Sequence, residues 1–169
     1  MTYDEYINQI ISKNLLCDEY KELLFRVGSK KQLFDLLSDC NGVSFFCEMQ
    51  SRGIDTPYGL IYEYLGKYIN GQYKPRHELN ENDERCGSYT SAIYVSYAND
   101  IVADTTLLSV LNCKCNIIVP KNRMCTMHID QKSDVTVVVD GFGVNVFVYG
   151  DGKVKVIGNK DNIKIVKKR

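Results

Sequence analysis

The chain has 169 residues, 44% of them hydrophobic and 25% charged, with 21 basic and 21 acidic side chains. This composition suits one ordinary globular domain or two small ones and excludes a disordered chain. Zero net charge argues against a nucleic-acid binder, which carries a basic excess, and removes repulsion between copies.

The N-terminus, MTYDEYINQIISKNLL, has acids where a secretion signal carries positive charge, and no apolar run is long enough to span a membrane. A cytoplasmic setting is expected, or export without a cleaved signal. Seven cysteines, an odd number, agree with reduced thiols rather than a disulfide framework.

The first part reads as short helices. Tyr3, Tyr6, Ile7, Ile10 and Ile11 recur at helical spacing behind Thr2, a suitable N-cap. A second helix fits Asp18 to Val27 and ends at Gly28; a third starts at Ser29 and carries Leu33, Phe34, Leu36 and Leu37. A fourth spans Val43 to Gln50 and stops near Gly53. Thr56-Pro57 opens a fifth, reaching about Ile69 before Asn70-Gly71. Short helices are marginal alone and must bury their apolar faces together. The third helix offers only Lys30, Lys31 and Gln32 as polar readers, so a DNA-reading helix pair is poorly supported.

Residues 72–88 are polar and suit a linker or long loop between a helical domain, 1–71, and a β-repeat domain, 89–169. Tyr89 to Tyr97 is rich in aromatic and β-branched residues and reads as a strand. From Thr105, alternating apolar runs recur every nine or ten residues or about that, separated by turn formers such as Asp140-Gly141 and Gly150-Asp151-Gly152. Val135, Val137, Val139, Val144, Val146, Val148, Val154, Val156, Ile163 and Ile165 share one side with Ile117, Val119, Cys125, Met127 and Ile129. Thr126, His128, Thr136, Asn145, Lys155 and Lys164 take the other and suit water. The fold class is α+β: a cluster of short helices, then an all-β part. A short β-solenoid explains the slim inward residues. An antiparallel meander or sandwich shares the spacing and remains the alternative. The helical part is expected to cap one end of such a stack and the basic tail to protect the other.

Candidate chemistry is sparse. Cys113, Cys115, Cys125 and His128 could approach a metal, but the C-x-C spacing sits on a strand and His128 has the opposite parity. Core thiols are the simpler reading, and no metal or other cofactor is expected. Cys86 and His77 share a polar loop and could form a thiol–imidazole pair, although nothing orients them. Asp140-Gly-Phe-Gly143 has no accompanying phosphate loop. Among the 12 tyrosines, Tyr58, Tyr62, Tyr64, Tyr68 and Tyr73 gather around the fifth helix and Tyr94 lies on the next strand. Tyrosine has an apolar body and a polar tip, so these six form the candidate partner-binding set.

The segment LFDLLSDCNGVSFFCEMQSRGIDTPYGLIYEYLGKYINGQY, with SYTSAIYVSY and the valine repeats after it, resembles uncharacterised proteins of gut Bacteroidetes and their phages. The resemblance implies a phage or prophage accessory protein and assigns no site residues. The expected function is non-enzymatic: a structural or assembly protein that associates with itself or docks on a protein partner through the tyrosine-rich junction and β-repeat. A small inhibitor of a host protein and a cysteine-dependent hydrolase are the alternatives.

Overall fold

The structure, a computed structural model, describes residues 2–14, 17–18, 21–22, 26, 44–59, 61, 72–73 and 91–168. Helix α1 is Tyr3–Ser12. Thr2 accepts a hydrogen bond from the Glu5 backbone N–H, and the Glu5 carboxylate accepts one from the Thr2 N–H, a reciprocal cap. Helix α2 is Phe45–Ser51, starting two residues later and ending one residue later than the span read from sequence. The chain turns helical again at Tyr58, one residue past Pro57. The second and third expected helices, and the fifth beyond Ile61, lie essentially outside the described residues.

Ten strands follow: β1 Gln72–Tyr73, β2 Ser91–Val95, β3 Ile101–Val102, β4 Leu107–Leu111, β5 Lys114–Val119, β6 Cys125–Ile129, β7 Asp134–Val139, β8 Val144–Tyr149, β9 Lys153–Gly158 and β10 Ile163–Lys168. They form two sheets, ordered β1-β2-β4-β6-β8-β10 and β3-β5-β7-β9. From β2 onward the strands alternate between the sheets, and each of β2 to β8 pairs in parallel with the strand two places on. This is a β-solenoid of about four coils. The parallel ladders rule out the meander, whose hairpins need antiparallel neighbours. One strand and turn is half a coil; Cys125, Val144 and Ile163 stack directly, which sets a coil of about 19 residues.

The register builds interior ladders. Ala92, Leu108, Met127, Val146 and Ile165 stack in one sheet; Ile101, Ile117, Val137 and Val156 stack in the other. The first four members of the former are fully buried, whereas Ile165 on the last described coil is 42% exposed. Val154, Val156 and Ile163 are likewise half-buried, because no further described coil lies on β9 or β10. These four positions depart from the buried state expected for them. Lys167 stacks on Val148, an interior position, and places a charge on the edge strand. Such a charge discourages pairing with another edge.

No described helix caps an end of the stack. The described ones lie across the outer face of the six-stranded sheet, where Tyr6, Ile10, Phe46 and Met49 pack with Ile93, Val95, Leu111 and Tyr149. The outer neighbour of β2 is instead β1, which pairs antiparallel to it. This lateral cover explains why Thr126, His128 and Asn145 are half-buried rather than open to water.

Turn geometry depends on two glycines at close approaches. A Cβ on Gly152 would sit 2.5 Å from the Asp130 carbonyl oxygen, and one on Gly141 would sit 2.5 Å from that of Arg123. Each turn therefore rests on the backbone of the coil before it. Truncating the interior should be costly: Met127→Ala is expected to lower unfolding free energy by about 2–5 kcal/mol, against under about 0.5 kcal/mol for Lys155→Ala on the exposed face. Denaturant unfolding measures both, and equal effects would contradict a stacked dry interior.

Candidate functional site

The turn after β6 holds a buried carboxylate. Asp130 is 0% exposed, and its Oδ1 accepts from the Asn112 backbone N–H at 3.0 Å and the Ser133 hydroxyl at 2.5 Å. Its Oδ2 accepts from the Tyr58 hydroxyl and, at 3.5 Å, from Gln50 Nε2. Gln50 in turn accepts from the Gln131 N–H at 3.1 Å through Oε1, and its Nε2 donates to the Thr56 hydroxyl oxygen. A buried charge survives only when its lone pairs are satisfied, and here two donors come from the solenoid and two from the helical part. The network fastens α2 and the following turn onto the stack. Burial, and then the Asp130 carboxylate beside it, raise the Tyr58 phenol well above its ordinary range.

That attachment creates a cleft of about 350 Å³ lined by Glu48, Ser51, Arg52, His128, Phe147, Tyr149 and Lys168. His128 stacks between aromatic neighbours, 5.1 Å from the Phe147 ring and 5.9 Å from that of Tyr149. Its Nδ1 lies 2.9 Å from the Tyr149 hydroxyl. Burial lowers the imidazole to about 4; Glu48 opposes that shift and Lys168 adds to it. The ring is therefore neutral at pH 7. Lys168 Nζ lies 5.4 Å from the Phe147 ring centroid, over its face.

Of the sequence-derived tyrosine set, the side chains of Tyr58 and Tyr94 are described, and neither stands open on the surface. Tyr58 is half-buried, tied to Asp130 and covered by Lys132, whose Nζ lies 4.4 Å from the ring centroid. Tyr94 is 4% exposed inside the solenoid, edge-on to Tyr97. Tyr62, Tyr64 and Tyr68 lie outside the described residues, as does the side chain of Tyr73.

Cys113 and Cys125 are interior thiols and Cys115 is half-buried beside them. Burial pushes Cys113 and Cys125 up to about 12 and Cys115 to about 11, so all three are protonated and weakly nucleophilic at neutral pH. His128 projects on the opposite, helix-covered face. Among the described residues no group of three or more His, Cys, Asp or Glu could hold a metal ion. His77 and Cys86 lie outside the described residues. No helix among the described residues is long and apolar enough to cross a membrane.

No protein-family model matches the chain, and no curated protein or solved structure does.

The cleft and the Asp130 network escaped sequence reasoning because Gln50 lies 80 residues before Asp130, with Arg52 beside it, and each is individually ordinary. The one local hint was a carboxylate directly after an alternating strand.

Two outcomes follow. Asp130→Asn is expected to cost about 2–4 kcal/mol of stability and Tyr58→Phe about 1–2 kcal/mol, with the double variant costing less than the sum. Denaturant melts with a double-mutant cycle measure this; strict additivity would separate Tyr58 from Asp130. For His128, the folded value lies below the ordinary 6.5, so the unfolded chain binds the proton more readily between about 4 and 6.5. Its contribution is complete above 6.5 and is lost as pH falls toward 4, on the order of 3 kcal/mol at most. His128→Gln should flatten that part of the pH–stability profile.

Proposed function

We propose that this chain is a non-enzymatic structural or assembly protein that associates through the outer face of its four-stranded sheet. The observation that carries the reading is a ladder across that face: Val102, Ile118, Val138 and Ile157 stack strand upon strand with their side chains pointing away from the interior. Val102 is 53% and Ile157 47% exposed. Polar rows run along one side of the ladder, Asn116, Thr136 and Lys155 nearest to it. The helices cover the equivalent face of the other sheet, whereas no described element covers this one.

A continuous apolar strip with a polar rim is the anatomy of a protein contact, and zero net charge imposes no general repulsion between copies. The reading keeps the accessory, assembly-type role that the phage resemblance implies, but moves the contact from the tyrosine junction to the β-repeat. Lys167 at the stack edge favours a closed, limited assembly over open-ended stacking.

Light scattering on the size-fractionated protein at high concentration is expected to give a defined oligomer. Val138→Lys and Ile157→Lys should return it to monomer without loss of helical or strand content by circular dichroism. A wild-type chain that stays strictly monomeric would remove the proposal.

A further inference from the structure

The cleft beside His128 concentrates nitrogen donors. The ion pairs among the described residues are Lys21–Asp18 and Arg26–Glu22, so neither Arg52 nor Lys168 is neutralised by a described carboxylate. Glu48 on α2, four residues before the C-cap residue Arg52, uses Oε1 to accept from Ser44 Oγ at 2.7 Å. The cleft therefore has two cations without a carboxylate partner among the described residues, Arg52 and the Lys168 that lies over Phe147, against one partly committed carboxylate.

His128 supplies a third donor. The Tyr149 hydroxyl has Nδ1 of His128 as its partner, so a tyrosine proton donated there leaves the neutral ring protonated on Nε2. Nε2 has no hydrogen-bond partner among the described residues, and the half-buried His128 lines the cleft. Stacking on Phe147 and Tyr149 fixes the ring plane, so this N–H has a set direction.

We propose that the cleft binds a small organic oxyanion, a carboxylate or phosphate monoester, held by Arg52, Lys168 and the Nε2–H of His128. Guanidinium, ammonium and a fixed neutral imidazole are the donors such a group requires. The volume of about 350 Å³ leaves room for an organic body against Phe147 and falls at the small end of ligand sites. Glu48 sets the selectivity. Its charge repels a polyanion such as nucleic acid and accepts from a ligand hydroxyl or amine. The site is separate from the assembly face, which lies on the other sheet.

The test uses the full chain and two probes, inorganic phosphate and glycerol phosphate, followed through the imidazole ¹H–¹⁵N resonances. With 2 histidines in the chain, assignment is direct. Saturable shifts at His128 are expected with both probes. Arg52→Ala and Lys168→Ala should each weaken binding roughly tenfold, the loss of one charge-assisted hydrogen bond. Lys164→Ala removes the same charge from the same strand outside the cleft and should leave binding unchanged. Absence of a saturable His128 shift would overturn the proposal, and so would equal weakening by Lys164→Ala, because that result means diffuse charge attraction alone. Oligomeric state measured on the same samples keeps failure here distinct from failure of the assembly reading.

Discussion

Parallel strands direct their backbone N–H and C=O groups along the stack, so each coil is completed only by a neighbour in register on either side. Everything else in this molecule follows from that requirement. Register repeats side-chain parity from coil to coil, which places Met127 on Leu108 and Val146 on Met127. A slip of one residue would turn the whole aliphatic set toward water, and burying each such side chain is worth about 1.5–3 kcal/mol. The turns obey the same constraint. Gly152 passes too near the Asp130 carbonyl for any Cβ, so the corner of one coil is shaped by the corner beneath it.

Asp130 converts that stacking into a tertiary fold. Its carboxylate satisfies the backbone of Asn112 and the side chain of Ser133 within the solenoid, then reaches outward to Tyr58 and Gln50. One ion thus fixes both the corner geometry and the position of α2. Because Gln50 is anchored there, Glu48 on the same short helix and Arg52 at its C-cap line one cleft with His128, two residues before Asp130. The cleft is a geometric consequence of the attachment. Its low dielectric keeps the imidazole neutral, and the neutral ring completes the set of nitrogen donors.

The β part was legible because period-two alternation is a local property, and the choice of slim residues at Val135, Val137 and Val139 already favours a narrow interior. What alternation does not encode is which strand lies beside which. Parallel and antiparallel neighbours bury the same residues, so the solenoid and the meander were separable only through the ladders. Ile101–Val102 was too short to show a period at all. His128 and Asn145 were misjudged for a different reason: their parity was correct, but the water expected on that face is displaced by α1 and α2. Tyr94 was misplaced by composition, since the amphipathic character that suits an interface also suits the first rung of an interior column.

The two sheets differ outside in a way that explains their different fates. The six-stranded sheet presents large apolar groups in adjacent rows, with Ile93, Val95, Leu111, Phe147 and Tyr149 across its outer face, and helices cover it. The four-stranded sheet presents one apolar row with two polar rows on the same side of it, Asn116, Thr136 and Lys155 and then Lys114, Asp134 and Lys153. A helix needs a wide apolar stripe to repay the ordering of its backbone, and a single ladder cannot supply it. A second rigid sheet loses far less conformational entropy on contact. Even so, at about 25 cal/mol per Å² the few hundred Å² available gives only several kcal/mol before the cost of association is subtracted. An interface built on this ladder is therefore reversible and concentration-dependent, which suits an assembly component held in place by multiple contacts rather than by one tight pair.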